Sequence, residues 1–554
     1  MTDRSVAARL IVGGTAGCVV AAALAVAATP IVAAGLRHSL HLPLGLCVAL
    51  AAALTAGAAL YVVGAWLRAG ASWAAWVAVG AFALLLRLVD VALIAPTAGE
   101  LVTVGGGDLG HHLHIAALLA GPMPTVYVGF TGWHATMVSA AWAIDAGWWV
   151  PAYAVDGSDG SWSPPTMLDA AAAAVVVGWA AFALAAALLV TALASSPSPR
   201  EARTSAQADA GATGQHRVGG RQRGVATVVG WAVAMALTMA AFQGFLLAAM
   251  HYHVADGFVA HAHAAALTLV GAWAALVTRG RKRRLAALLV VVGLLRFDYG
   301  LNLPETALAW ATLALATAGV EPTRRWRNVL LVAGVGVALA AIAMAFALSG
   351  SWAKVGGMMH PTLTARIEVL SLALIAVVAA WRLARRPFAT WLMWLLGVPL
   401  AVALAHAAFP QLPRAYYLFK HGVHAELLLV VALAGLAGAG VRQIIAGVAT
   451  RRDGLLTVAV VVAAWAAPGA LADANGPMMR GFRERGQPTW AWRQLAPLHT
   501  PMLTKVLGQL QRDGHRVDAA LHPHWPVASA LASMQAGWTG LEVAPVRGLQ
   551  PRHW

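Results

Sequence analysis

Between Val104 and His114 the chain reads V-G-G-G-D-L-G-H-H-L-H. Gly105, Gly106 and Gly107 open backbone conformations that side chains forbid, so Asp108 can be held on a tight turn against a ligand. His111 and His112 follow at three and four residues, the spacing that puts them on the helical face of Asp108, with His114 beyond. A carboxylate so placed can act as a general base or hold a divalent cation such as Mg or Mn, with His111 and His112 as further ligands. The same pattern also suits an Asp that caps a helix N-terminus, followed by histidines wetted at an interface. Spacing leaves both uses open.

A second polar stretch, P-R-A-Y-Y-L-F-K-H-G-V-H, runs from Pro413 to His424. Arg414 and Lys420, with His421, suit a lipid phosphate: arginine offers a fork of donors and lysine a point charge. Tyr416 and Tyr417 could stack on a sugar or a prenyl chain. An aromatic belt with snorkelling cations would carry the same residues. His251, His253, His261 and His263, with Asp256 between them, are either metal ligands or satisfied interfacial histidines. Lys354, His360 and Arg366 fit a phosphate pocket or simple solvation. Arg87 and Asp90, spaced i, i+3, are expected to pair or to line the same cavity as Asp108, because a lone charge in lipid costs about 2.5 to 3.5 kcal/mol on insertion scales. Arg296, Asp298 and Glu305 sit between two short apolar runs and fit either a broken hairpin whose tip lines the cavity or a purely structural role.

The elements that must position these groups are membrane helices. The chain has 554 residues, 60% hydrophobic and 11% charged, with a mean hydropathy of +0.71. A span needs about 20 apolar residues to cross about 30 Å of hydrocarbon. Such stretches fall at 9–36, 44–67, 72–95, 166–194, 225–250, 259–278, 285–297, 305–320, 328–349, 367–381, 388–408, 422–441 and 455–472. This predicts an all-α polytopic bundle of about 13 spans. Cys18 and Cys47 both sit in apolar segments, which argues against a disulfide framework or a thiolate zinc site. The formal charge of +16 resides in short loops that set orientation, and nucleic-acid binding is not expected.

With Arg4 and Arg9 in the cytoplasm, every second connection should be basic. Arg68, the arginines of 200–223, R-G-R-K-R-R (279–284), E-P-T-R-R-W-R (321–327), R-L-A-R-R (382–386) and Arg451 with Arg452 meet that condition. The polar stretches with chemical potential then face outward, with the N-terminus in and the C-terminus out. The chain divides into an N-terminal transmembrane portion (1–195) with an outer loop at 96–165, a disordered cytoplasmic linker (196–224), a second transmembrane portion (225–472) and a small extracytoplasmic segment (473–554). In the outer loop, 112–121 and 132–154 are expected as helices lying along or dipping into the membrane, with Trp133, Trp142, Trp148 and Trp149 at its interface.

Tyr127 to His134, Y-V-G-F-T-G-W-H, stands just before the second of these helices. An acidic residue followed by histidines after an early span, a short amphipathic helix ending in Gly, and this Tyr-to-His element together resemble the first outer loop of GT-C membrane glycosyltransferases. The resemblance is greatest to actinobacterial cell-wall arabinofuranosyltransferases and related membrane proteins. It covers residues 105–134, with the many-span layout and the Tyr- and Lys-bearing stretch at 413–424 as looser matches. The chain departs from that pattern in having two extra spans before Asp108 and no second acid beside it.

The resemblance implies that Asp108 deprotonates an acceptor hydroxyl or helps hold a metal. It also implies a polyprenyl-phosphate sugar as donor. Arg414, Lys420 and His421 would then hold the donor phosphate, and His111, His112, Tyr127, Trp133, His134, Tyr416 and Tyr417 would contact substrates. The expected activity is transfer of a sugar, arabinofuranose or mannose, to a glycan or glycolipid acceptor at the outer face of the plasma membrane. A transporter or flippase of lipid-linked glycans would use the same charges without chemistry. A haem or copper protein, suggested by 20 histidines, is a third class.

Overall fold

The computed structural model describes residues 44–68, 132–145, 164–195, 217–246, 260–277, 290–295, 367–384 and 416–474, Ala249, and parts of 18–42, 79–84 and 388–396. Among the described residues every regular element is helical. In chain order these are α1 (Leu44–Arg68), α2 (Gly132–Asp145), α3 (Pro164–Ser195), α4 (Arg217–Ala241), α5 (Ala260–Val277), α6 (Ile367–Leu383), α7 (Tyr416–Ile445) and α8 (Arg451–Ala474). A single π turn, Phe242–Leu246, continues α4. Alanine and leucine dominate these segments and are strong helix formers. In lipid a helix also satisfies its own backbone polar groups.

Among the described residues four helices are long and apolar enough to cross a membrane: Ala173–Ser195 of α3, Gly224–Leu246 of α4 and its π turn, His424–Ile445 of α7, and Arg451–Leu471 of α8. The helices α1, α3, α5 and α6 fall on expected spans within a few residues. The start of α4 at Arg217 lies inside the stretch expected as a linker. The expected spans 305–320 and 328–349 lie outside the described residues, as do the linker up to 216 and the C-terminal segment from 475 onward. The spans 9–36, 72–95, 285–297 and 388–408 are described in part.

Two helices organise the packing. α7 lies against α3, α4, α5, α6 and α8, while α3 also carries α2, α4 and α5. Small residues permit this. At the α4–α7 crossing a Cβ on Gly230 would come within 2.7 Å of the Gly438 carbonyl oxygen, and one on Gly438 within 2.7 Å of Ala234 Cβ. Backbone therefore meets backbone, the close approach that drives helix association where hydrophobicity cannot. The π turn of α4 packs on α8 at Pro468, with Gly244 facing the proline ring.

The ends of α3, α6 and α7 gather with the start of α8 and the first half of α4. Trp231 Nε1 donates to Ser195 Oγ at 2.9 Å, Gln443 Nε2 donates to the Leu383 carbonyl at 2.6 Å, and Arg382 pairs with Asp453 at 3.0 Å. Arg382, Arg451 and Arg452 thus lie at one end of the described helices.

Helix ends are closed by local chemistry. α7 stops in a Schellman motif: Val448 N–H bonds to the Gln443 carbonyl and Gly447 N–H to Ile444, with Gly447 at φ 69°. α8 starts with a capping box in which Asp453 N–H donates to Thr450 Oγ1 and Thr450 N–H donates to Asp453 Oδ2.

Candidate functional site

Asp108, His111, His112, Tyr127 and Arg414 lie outside the described residues. So do His251, His253, Asp256, Arg87, Asp90, Arg296, Asp298, Glu305, Lys354, His360 and Arg366. Trp133 and His134 are described, and their setting differs from the expected one. They open α2, which packs on α3 and α5, and the residues from Gly132 to Val138 are enclosed by protein. Trp133 is 1% exposed and its ring stacks near that of His134 at 6.0 Å. The helix expected to lie along or dip into the membrane turns its first two turns into the bundle. Alanines at 170 and 174 on α3 belong to the core it joins.

The stretch expected as an outer loop from Pro413 to His424 also differs. From Tyr416 onward it is continuous helix, six residues before the expected start of the span at 422. Tyr417, Lys420, His421 and His424 hold helical positions i, i+3, i+4 and i+7, so this second stretch is an extension of α7 in one register.

His424 is fully buried and its Nε2 lies 3.4 Å from Thr268 Oγ1 on α5. Thr268 donates its only proton to the Ala264 carbonyl at 2.8 Å. The hydroxyl is left as an acceptor, which makes His424 Nε2 the donor and fixes its tautomer. Five residues before Thr268 on α5, His263 lies in a notch on α3. A Cβ added to Gly178 would meet the His263 ring at 2.6 Å. The ring hydrogen-bonds to the backbone of Ala174, one turn earlier on α3. Glycine at 178 leaves that carbonyl approachable from the side.

His261 and Glu426 are also buried, each under 3% exposed. His261 and His263, like His424 and Glu426, stand two positions apart, about 200° around a helix, so each pair divides between opposite sides of α5 or α7. Among the described residues no three His, Cys, Asp or Glu side chains gather to hold a metal ion. The arrangement links α5 to α7 through Thr268 and His424 and α5 to α3 through His263, with His134, His261 and Glu426 buried on the same set of helices and α2. Its imidazoles and carboxylate can donate, accept or carry protons within apolar surroundings.

Sequence reasoning overlooked Glu426 and Thr268. Glu426 had a usable signal, since it is an acid set four residues into the expected span 422–441, where ionisable residues are rare and functional by default. Thr268 had none, because its value comes from the helix that lies beside it.

No family model, curated protein or solved structure matches this chain.

Proposed function

We propose that the protein is a GT-C type glycosyltransferase of the plasma membrane, with about 13 spans, its N-terminus in and its C-terminus out. It moves a sugar from a polyprenyl-phosphate donor to a glycan or glycolipid acceptor at the extracytoplasmic face. Asp108 activates the acceptor hydroxyl, alone or with a divalent cation that His111 and His112 help hold. Arg414, Lys420 and His421 stabilise the departing phosphate.

One observation carries most of the support. The helix led by Gly-Trp-His (α2) and the helix led by Tyr-Tyr-Leu-Phe-Lys-His (α7) pack on the same pair, α3 and α5. The two sequence stretches that resemble the superfamily's outer loops are thereby brought onto neighbouring elements. Asp108→Asn is expected to abolish sugar transfer from a polyprenyl-phosphate donor by purified protein while expression and melting temperature stay at the wild-type level. Full transfer by that variant removes Asp108 from the mechanism.

A second reading, a transporter or flippase of lipid-linked glycans, is favoured by His263, His424 and Glu426, which are enclosed by protein within the helix bundle. In proteoliposomes, movement of labelled lipid-linked sugar without a new glycosidic bond, lost in Glu426→Gln, decides for transport.

A further inference from the structure

The end of the bundle at which α6 meets α8 carries a cationic crown above exposed hydrocarbon. Arg451 and Arg452 are exposed in the first turn of α8, and Arg382, 46% exposed, is clasped to Asp453 beside them. Directly along α8 from the two arginines, Leu455, Val458 and Val462 are 60 to 67% exposed and recur at helical spacing. On α6, Leu374, Val378 and Trp381 form a matching exposed stripe that ends beside Arg382. The one acid of the cluster, Asp453, is occupied by Thr450 and Arg382. The charge of Arg451 and Arg452 is left without a counterpart among the described residues of α6 and α8.

We infer that the α6–α8 end is a binding site for an anionic phospholipid. Its phosphate is held by Arg451 and Arg452, and its acyl chains run along the exposed stripe of α8. A phospholipid has the disposition this surface asks for, with negative charge at one end and hydrocarbon continuing from it. A second copy of the chain packed face to face about an axis along the bundle would set these arginines against their own equivalents, so a symmetric dimer is disfavoured here. The inference rests on membrane residence alone and stands whether or not the protein transfers sugar.

The site can be addressed singly because the chain holds two cysteines, Cys18 exposed and Cys47 buried. In the full chain carrying Cys18→Ser, Leu455→Cys is labelled with bimane and reconstituted in phosphatidylcholine vesicles containing brominated phosphatidylglycerol or brominated phosphatidylcholine. Half-quenching is expected at a mole fraction of the brominated phosphatidylglycerol at least about fivefold lower. Arg451→Gln with Arg452→Gln should erase the difference while leaving quenching by phosphatidylcholine unchanged, and a melting curve in detergent confirms that the variant is folded. Three outcomes overturn the inference. They are equal quenching by both lipids, a preference that survives loss of both arginines, and absence of quenching by either lipid, which would mean that protein covers the face.

Discussion

His263 shows how a buried polar side chain is tolerated in an apolar bundle. Its ring occupies space that a methyl group would fill and bonds a carbonyl that a larger side chain would shield. Gly178→Ala puts a carbon 2.6 Å from that ring. The ring cannot retreat without losing Ala174 or opening the α3–α5 contact, so a loss of about 1 to 3 kcal/mol is expected, the usual cost of overpacking. A urea or thermal melt in detergent reads it, and an unchanged midpoint would show that the ring moves freely. Buried hydroxyls are handled differently: Thr136, Thr238 and Thr268 each donate to the carbonyl four residues earlier, at 2.7 to 2.8 Å. Each satisfies itself within its own helix and leaves its oxygen lone pairs for a neighbour. The sequence shows that such residues are present, and the neighbour decides which of them matter.

At the scale of the element, caps and interruptions account for where helices stop. The left-handed backbone at Gly447 makes Gly447→Ala costly by about 1 kcal/mol, since an L side chain there meets the following carbonyl. Gly454, inside α8, has open space where its Cβ would lie. Gly454→Ala should therefore raise stability by about 0.5 to 1 kcal/mol through helix propensity alone. Opposite shifts of the two variants in one denaturation assay are the expected outcome, and shifts of the same sign would contradict the cap geometry. The longer-than-expected α7 has the same kind of cause. Tyr416 to His421 read as loop because they are polar and aromatic, yet no Pro or Gly stands between Tyr416 and His421 to break the helix.

For the molecule as a whole, two glycines set how closely α4 and α7 approach, and among the described helices α7 is the one that most others touch. Gly438→Leu drives a side chain into the backbone and Cβ atoms of α4. It should reduce the yield of monodisperse protein in size-exclusion chromatography severely. Val458→Leu, on an exposed face, should leave the yield intact. Normal behaviour of the glycine variant would mean that the α4–α7 crossing is not the spine of the bundle. The same crossing bears on function, because α7 carries Lys420 and His421, two of the three expected donor-phosphate residues, and reaches α5 through His424 and Thr268.

Helix identity was legible from residues alone where α1, α3, α5 and α6 fall on expected spans. A spanning segment must close its own backbone hydrogen bonds whatever lies beside it, and arginine placement follows from charge and lipid without reference to packing. Centrality was not legible. Nothing in the apolarity of α7 distinguishes it from α8, yet α7 is largely enclosed and α8 bares a stripe from Leu455 to Trp465. Nor could composition tell that Trp133 and His134 turn inward, or that His263 finds its notch at Gly178. These depend on small residues in distant segments meeting across a helix pair, and only the tertiary structure brings those segments together.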